Sequence, residues 1–403
     1  MRYLLLLVLQ CLPIVSQAFY QWQQNDASLE LRGFARGIGV AVNNPNDEIL
    51  FSEDEFVTGG INGRLMIDAQ LSDLSFEMHV VQSVIDKKLR TGASRFVSRQ
   101  DVERSDAIHW RYADDHADLL IDRLNMQYST DSLNFKLGRQ PINLASTFYF
   151  TPNDFFAPFA AQTFFRTYKP GVDAARLDWQ WGEFSQLSLI TVLNYQTDQQ
   201  NSTGWSDSPD WSETSYLARA SILFDTFEWA ALLGHVNGDE IVGLDFQGEV
   251  FEWLGIRGEG HIRFSDEANK DNDVKFSISF EHRFENTLTL RVEQFYQRSG
   301  ARNERDYNTQ LSATNNLYLA KNYTALGASY EITPLLLADA VWLFNDQDGS
   351  NLIALYSTYS LSDESELSVG LNIPIGDQPD NGELNSEFGS YPKSVSIEYR
   401  IYF

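Results

Sequence analysis

The final residues of the chain, VSIEYRIYF, place apolar or aromatic side chains at every second position. Val395, Ile397, Tyr399, Ile401 and Phe403 share one parity, and most positions between them are polar. A period of two predicts a β-strand with one apolar and one polar face, because successive side chains point to opposite sides of a strand. The apolar face must then be covered by a protein core or by lipid.

The same alternation recurs along the chain in runs of about ten residues that are separated by polar turns. Clear runs begin at Gly63, Leu133, Phe184, Asp273 and Glu366. A helical period would scatter the apolar residues of such a run, whereas a strand keeps them on one face. No linker or low-complexity segment interrupts this texture, so the pattern predicts a single all-β domain.

The breaks between the runs alternate between short turns and longer connections. Short breaks begin at Ser72, Ser129, Trp181 and Asp225, for example. The longer ones cover residues 43–56, 87–116, 145–171, 197–213, 266–272, 299–319 and 377–389. Short turns at one end and long loops at the other are typical of a transmembrane antiparallel up-and-down β-barrel. The count predicts about eighteen strands, with sixteen as the alternative.

The first eighteen residues have the pattern of a secretory signal. Arg2 precedes an apolar run from Leu4 to Leu9 that is too short to span a bilayer, and the small residues Ser16 and Ala18 suit cleavage. Cleavage after Ala18 would leave a single barrel domain, 19–403, and would remove Cys11, the one cysteine of the chain. We therefore expect neither a disulfide nor a thiolate metal site in the mature domain.

The composition is polar for a membrane protein, with a mean hydropathy of −0.31. A barrel reconciles this value with a membrane location, because only alternate strand residues face lipid and the loops are hydrophilic. The net charge of −26 argues against nucleic acid as a partner, since nucleic-acid binding requires clustered Lys and Arg.

The pattern of the whole mature chain, with an aromatic residue at the end of its last strand, resembles Gram-negative porin-like outer-membrane barrels. The resemblance implies a location in the outer membrane, in contact with its lipid and lipopolysaccharide. It also implies that Phe403, Ile401 and Tyr399 form the signal for the barrel-assembly machinery. The implied function is passive diffusion of small hydrophilic solutes or ions through a channel, and a homo-oligomer is compatible with it.

The most distinctive connection follows Leu137 and reads LGRQPINLASTFYFTPNDFFAPFAAQTFFRTYKPG. A loop this rich in Phe and Tyr should not extend into water, so we expect residues 145–171 to fold into the barrel as a constriction. Its position resembles that of the inward-folded third loop of general porins. The residues that resemble porin-like motifs are Gly138, Arg139, Gln140, Pro152, Asp154, Phe156 and Pro158. The PEFGG-type sequence of general enterobacterial porins is absent, so their solute preference is not implied. The alternative is that the segment from Phe148 to Phe165 forms a structural core that plugs or braces the barrel.

Charged residues at alternate strand positions supply the candidate pore lining. Arg or Lys facing lipid near the bilayer midplane costs about 2–4 kcal/mol, so these residues should face the lumen. The candidates at the narrowest region are Arg139, Asp154, Arg166 and Lys169. Those on the barrel wall are Arg176, Asp178, Arg257, Glu259, Arg263, Glu281, Arg283, Arg291 and Glu293. The alternative is that these residues form cross-strand ion pairs that stiffen the wall. Acidic loops favour cations at the mouth and lumen arginines favour anions, so the sequence leaves the charge selectivity open.

The histidines do not form a catalytic or metal motif. His109 and His116 lie near Asp114 and Asp115, but their spacing matches no ligand pattern and is typical of a solvated acidic loop. We therefore expect no enzyme activity, no cofactor and no metal. A different class of function is a conduit or sheath for a secreted polysaccharide or a periplasmic partner protein. A conduit requires a lumen that its own loop does not close.

Overall fold

The computed structural model describes residues 19–86, 111–113, 117–164, 166–197, 205–265, 271–307 and 317–403. The predicted signal, residues 1–18, lies outside this part of the chain, as do His109, Asp114, Asp115 and His116. The strands are β1 (Tyr20–Gln24), β2 (Ala27–Asn43), β3 (Glu55–Leu71), β4 (Leu74–Ile85), β5 (Arg111–Ala113), β6 (Ala117–Ser129), β7 (Leu133–Gln140), β8 (Val172–Gly182), β9 (Ser185–Val192), β10 (Tyr195–Thr197), β11 (Trp205–Pro209), β12 (Ser215–Phe224), β13 (Phe227–Val236), β14 (Asp239–Val250), β15 (Leu254–Phe264), β16 (Asp273–Arg283), β17 (Thr289–Gln297), β18 (Asn322–Thr333), β19 (Leu336–Asn345), β20 (Asn351–Ser362), β21 (Ser365–Ile375) and β22 (Lys393–Tyr402). Single 3-10 turns cover Glu304–Asp306 and Phe388–Ser390.

Eighteen of these described strands form one closed antiparallel barrel, in which each strand pairs with its neighbours along the chain. The barrel closes where β22 pairs with β2, with Ala35 opposite Ile401. The predicted barrel and its higher strand count are therefore confirmed. The remaining strands are additions, since β1 pairs with the start of β2, β5 pairs with β6, and β10 and β11 form a separate hairpin.

The two faces of the barrel differ as the alternation predicts. On β22 the side chains of Val395, Ile397 and Tyr399 are 45–54% exposed on the outside, whereas Glu398 and Arg400, at positions of the other parity, are buried on the inside. The outer face of a transmembrane barrel meets lipid rather than water, so exposure of apolar side chains there carries no penalty. No helix among the described residues is long and apolar enough to cross a membrane.

The strand connections also follow the predicted alternation. Two-residue turns such as Ser72–Asp73 join strands at the end of the barrel that holds both termini, and the longer segments lie at the other end. The shortest connection at that other end is Asn237–Gly238, where both residues have positive φ angles of 50° and 87°. Asn and Gly tolerate this backbone region, which the tight turns of antiparallel hairpins require.

Two buried apolar clusters lie inside the barrel, and the connection between β7 and β8, residues 141–171, contributes to both. One buried cluster contains Phe150 from this connection, packed with residues of β17–β20 and of the segments 317–321 and 388–391. The other contains Ile142, Phe155 and Phe156, packed against the inner faces of β8, β9 and β12–β14. The predicted inward-folded loop is thus present, and it begins at Pro141, a few residues earlier than the sequence indicated.

Candidate constriction site

The connection of residues 141–171, here called the lumen loop, leaves the wall at β7 and reaches strands on the far side of the barrel. Two inward-facing glutamates, Glu259 on β15 and Glu293 on β17, accept hydrogen bonds from its backbone N–H groups. Both glutamates are buried, at 4% and 0% exposure. The loop therefore crosses the lumen and is fixed at the wall formed by β15–β17.

Glu259 accepts hydrogen bonds from three backbone N–H groups of the lumen loop. Those of Thr147 and Asn153 lie 2.9 Å from its carboxylate oxygens, and that of Ser146 is a further donor. A buried carboxylate is tolerated only when its oxygens are hydrogen-bonded, and charge-assisted bonds of this kind are stronger than neutral ones. The buried carboxylate and the buried N–H groups of the loop therefore satisfy each other's hydrogen-bonding requirements.

Glu293 binds the next turn of the loop in the same way. The backbone N–H groups of Phe148 and Tyr149 donate to it at 2.9 and 3.1 Å, and Phe150 N–H donates as well. Ser277 and Ser279 on the neighbouring strand β16 donate their hydroxyls to the same carboxylate. With five donors around it, this carboxylate needs no cation.

The return arm of the loop is attached to the opposite side of the barrel. Lys169 forms a buried ion pair with Asp154 of the same loop, and Arg123 on β6 donates to the Lys169 carbonyl. The Gly171 N–H donates to Asp122 at 3.1 Å, and a Cβ at Gly171 would overlap the Asp122 carbonyl. The absence of a side chain at position 171 thus permits the close approach of the loop to the wall.

Arg166 binds the loop to itself rather than to the wall. Its guanidinium donates to the carbonyls of Thr163 at 2.7 Å and Ala161 at 2.9 Å, and to that of Phe148. These partners are neutral, and within the described part of the chain no carboxylate is among the hydrogen-bond partners of Arg166.

Aromatic contacts fix the side chains of the loop. Phe148 is sandwiched between Arg257 and Arg291, whose guanidinium carbons lie 4.5 and 4.6 Å from its ring centroid. Such cation–π contacts hold the ring between two strands of the wall. The Tyr149 hydroxyl sits against Gly327 on β18, where a Cβ would overlap it.

The lumen loop separates two cavities inside the barrel, and Thr151 and Asp154 border both. The larger, of about 470 Å³, lies next to five cations: Arg123, Arg166, Lys169, Arg176 and Arg257. Asp154 is the one acid among its lining residues in the described part of the chain. The smaller, of about 70 Å³, lies next to three basic side chains: His261, Arg263 and Lys275.

Strand β15 shows how alternation builds this arrangement. Arg257 borders the larger cavity, Glu259 holds the loop, and His261 and Arg263 border the smaller one. Residues two apart on a strand lie on one face and about 6.6 Å apart. One strand therefore supplies a side chain below, at and above the level of the loop.

Most of the other predicted wall residues, and Arg139 of the predicted narrowest region, are in ion pairs. Their partners and distances are Arg176–Asp178 at 2.9 Å, Arg263–Asp239 at 3.3 Å, Arg291–Glu281 at 2.6 Å, Arg139–Asp173 at 3.4 Å and Arg283–Glu331 at 3.8 Å. Arg139 is buried beside Gly171, whereas the side chain of Arg283 is 66% exposed at the end of the barrel that holds the short turns. These pairs agree with the alternative interpretation that several charges stiffen the wall. Their assignment as pore lining stays a prediction.

The sequence did not indicate that two further segments fold inward. Tyr318 accepts a hydrogen bond from the Ala161 N–H at 2.7 Å and packs edge-on against Phe150, at 5.1 Å between ring centroids. Phe388 and Tyr391 complete the same aromatic cluster from the connection before β22. Aromatic residues at these positions were the available signal, but they are sparse within otherwise polar loops.

The second inward segment also carries a buried polar cluster. Glu387 accepts hydrogen bonds from Asn345 at 2.9 Å, from the Leu319 N–H at 3.1 Å and from the Tyr323 hydroxyl. Asp348 accepts from the Glu387 N–H at 2.8 Å. Burial raises the pKa of Glu387 to about 7, and the nearby Asp348 acts in the same direction. The described residues contain no group of three or more His, Cys, Asp or Glu placed to hold a metal ion.

A closed eighteen-stranded antiparallel barrel, with an apolar outer face, a charged lumen and an inward loop, is the fold of the outer-membrane porins. Proteins of this fold lie in the outer membrane of Gram-negative bacteria. No protein-family model matches the chain, and no curated protein matches it.

Solved structures of similar fold cover nearly the whole chain. OccAB3 of Acinetobacter baumannii aligns with a TM-score of 0.60 at 10% identity, over 93% of this chain and 99% of that one. OccK8 (OprE) of Pseudomonas aeruginosa aligns with a TM-score of 0.58 at 9% identity, over 93% and 98%. OccD3 (OpdP) of the same organism aligns with a TM-score of 0.54 at 10% identity, over 96% and 93%. At such identities the likeness establishes the fold and leaves the solute open.

Proposed function

We propose that the chain is a passive porin of the outer membrane, which lets small hydrophilic solutes or ions diffuse through a constriction formed by the lumen loop. The observation that carries this proposal is the anchoring of the loop backbone by Glu259 and Glu293. A loop held by buried charge-assisted bonds narrows the lumen permanently instead of acting as a mobile lid. The aqueous space beside the loop includes the cavity of about 470 Å³.

The same cavity favours small anions. Five of its lining side chains are cationic, and the hydrogen-bond partners of Arg166 are backbone carbonyls. Fixed charges in a narrow, poorly screened passage set ion preference more strongly than charges at an open mouth. We therefore expect anion selectivity despite the acidic net charge of the chain, which is −26.

The predicted constriction residues Arg139, Asp154, Arg166 and Lys169 divide between the border of the passage and the wall behind the loop. Arg166 borders the passage, and the Asp154–Lys169 pair lies at its edge, between the two cavities. Arg139 supports the wall behind the loop through Asp173. The proposed partners are permeating solutes, outer-membrane lipid with lipopolysaccharide, and the barrel-assembly machinery at Phe403, Ile401 and Tyr399. A homo-oligomer remains compatible, and no enzyme activity is part of the proposal.

The conduit for a polysaccharide or a partner protein is the second candidate, and the lumen loop counts against it. Ile142, Phe155 and Phe156 fill the lumen on one side of the loop, and Phe150 and Tyr318 fill it on another. A polymer or a folded partner would have to displace this buried core.

Planar-bilayer recording of the purified, refolded barrel tests the proposal. We expect stable ohmic steps, and a reversal potential under a KCl gradient with the sign of anion preference. Deleting residues 150–165 should raise the unit conductance, because the deletion removes the part of the loop that crosses the lumen. A correctly folded barrel without conductance, or with conductance unchanged by the deletion, would contradict the porin proposal and favour a partner-filled lumen.

A further inference from the structure

The outer face of β17 changes from aliphatic to aromatic residues toward the end of the barrel that carries the long loops. Leu290 and Val292 are 41% and 46% exposed in the apolar part of this face. Tyr296 follows on the same face and stacks on Phe276 of β16, with ring centroids 5.2 Å apart. In transmembrane barrels aromatic rings of this kind mark the level where hydrocarbon gives way to lipid headgroups.

Basic residues gather immediately beyond that aromatic level. The Lys321 ammonium lies 5.7 Å from the Tyr296 ring centroid, so it projects over the lipid-facing side of the wall. Arg298 follows Tyr296 on the same face, with a side chain 48% exposed, and Arg302 is exposed nearby. Three cations thus stand at one point of the rim in a chain with 30 basic and 56 acidic residues.

The backbone brings these three residues together. The Gln297 N–H donates to the Lys321 carbonyl at 2.9 Å, and Ala301 pairs with Ala320 as an isolated β-bridge. The pKa of Lys321 lies below its ordinary value, first through partial burial and then through repulsion by Arg302 and Arg298. Their positive charges are therefore close enough to oppose one another.

Nearby acids compensate only part of this charge. Asp271 lies 3.8 Å from Arg298 and is 93% exposed, so water and salt screen the pair. Asp273 acts favourably on Lys321, but both of its oxygens already accept hydrogen bonds from Ser299. Within the described residues, neither Arg302 nor Lys321 has a carboxylate at ion-pair distance. The cluster consequently presents positive charge at the headgroup level.

We propose that Arg298, Arg302 and Lys321 form a docking site for the phosphate groups of an outer-leaflet glycolipid, that is, the phosphorylated lipid part of lipopolysaccharide. The acyl chains lie along the apolar wall below Tyr296, and the phosphates meet the three cations above it. A basic residue near an anionic membrane surface contributes attraction that falls off within a Debye length, so the contact depends on salt. This site lies outside the lumen and does not depend on the proposed channel function.

Binding of fluorescently labelled lipopolysaccharide to the full barrel in zwitterionic detergent tests this site. The triple variant Arg298→Gln, Arg302→Gln, Lys321→Gln should bind the bisphosphorylated lipid about tenfold more weakly or worse, from the loss of three cations near the phosphates. Lys393→Gln is the matched control, because Lys393 is also exposed at the long-loop rim on the outer face. It should stay within about twofold of the unchanged chain.

Further measurements distinguish glycolipid phosphate from free phosphate, and a lipid partner from a second copy of the chain. Dephosphorylated lipid should bind the unchanged chain and the triple variant equally and weakly, and inorganic phosphate, added at constant ionic strength, should not displace the labelled lipid. Equal affinity of the triple variant for the bisphosphorylated lipid, or displacement by inorganic phosphate, would overturn the proposal. A triple variant that instead changes the oligomeric state in sedimentation would assign the patch to a second copy of the chain and also overturn it. Unit conductance should be unchanged in all variants, so a failed lipid result does not bear on the channel.

Discussion

The lumen loop packs against two sides of the barrel interior, and the side chains that it contacts differ between them. On the side of β17–β20 the lumen loop meets Tyr318, Phe388 and other rings, and the interior is an aromatic core. On the side of β3, β6 and β8 it meets Arg64, Asp122, Arg123 and Arg176, and the interior is charged and encloses the larger cavity. One loop thus both fills part of the barrel interior and borders the cavity that remains beside it.

The buried carboxylates of the two sides also differ in how they are satisfied. Asp122 is held by guanidinium groups, at 2.7 Å from Arg64 and 2.8 Å from Arg123. Glu293 and Glu387 are held by hydroxyl, amide and backbone donors. Both kinds of carboxylate bind the lumen loop, because Asp122 also accepts the Gly171 N–H, but the charged side in addition places cations beside the larger cavity.

Removing the loop anchors should give the largest effect. In Glu293→Ala the N–H groups of Phe148, Tyr149 and Phe150 lose their buried acceptor, and each unsatisfied group costs about 1–3 kcal/mol. We expect the loop to leave its position and the unit conductance in bilayers to rise about twofold or more. Glu331→Ala, at the exposed short-turn end, should leave conductance unchanged. Equal conductance of Glu293→Ala and the unchanged chain would show that the loop does not limit the passage.

A methyl group at Gly327 should disturb the aromatic side next most strongly. A Cβ there would overlap the Tyr149 hydroxyl, so Gly327→Ala should lower stability by about 1–3 kcal/mol through overpacking. Gly37→Ala is the matched control, because a Cβ at Gly37 meets no atom within 4 Å. Denaturant unfolding in detergent measures both variants. Adding Tyr149→Phe to Gly327→Ala should recover part of the loss, and an unaffected Gly327→Ala would show that this contact is not tight.

Neutralising Arg257 should change selectivity with little change in conductance. Arg257 borders the larger cavity, and its hydrogen-bond partners in the described chain are Gln247 and the Ser146 carbonyl. Arg257→Gln should therefore lower the anion-to-cation permeability ratio about twofold, as a reversal potential under a KCl gradient reports. Arg283→Gln, in an exposed pair far from the loop, should not shift that potential. The same shift in both variants would mean that overall charge, and not the cavity, sets the preference.

The smallest expected effect is the pH dependence of the Glu387 cluster. Its pKa is raised from 4.5 to about 7 in the folded chain, so the folded state favours the protonated form. The stabilising contribution is fully present below pH 4.5 and is lost as the pH rises through about 7. Hydrogen exchange of the segments 317–321 and 384–391 should therefore quicken between pH 5 and pH 8, after correction for the intrinsic pH dependence. Glu387→Gln should flatten this profile, and an unchanged profile in the variant would assign the effect to another group.

The sequence predicts the wall of this molecule better than its interior. Alternation at Val395, Ile397 and Tyr399 is a local signal, and it was sufficient for strand type, face and barrel class. The apolar content of 145–171 likewise indicated an inward loop. Which residues the loop meets depends on contacts such as Ser146 with Glu259, more than a hundred residues apart, and no local pattern encodes them.

The candidate site shows the same limit more sharply. Glu259 and Glu293 were predicted as wall charges that face the lumen. Both are buried, and their hydrogen bonds to the loop backbone have no sequence signature. The inward position of Phe388 was missed because a short aromatic stretch in a polar loop is ambiguous. The face on which a strand residue lies follows from the two-residue repeat of that strand. Which residues meet across the lumen depends on how all the strands close into the barrel.

The seam between β2 and β22 has a consequence for how the ring forms. Ala35 pairs with Ile401, and the Gly33 and Phe403 backbones bond each other at 2.7 and 2.9 Å, so the final ladder joins residues from opposite ends of the chain. The entropic cost of closing a loop grows slowly, by about 0.6 kcal/mol for each doubling of its length. Pairing β2 with β22 therefore lowers the stability of the barrel only modestly. Folding rates fall as the sequence separation of contacts increases, so we expect the pairing of β2 with β22 to be a slow step of folding. Until that ladder forms, β2 and β22 are open strand edges, and closing the ring is the step at which the barrel ceases to be prone to aggregation.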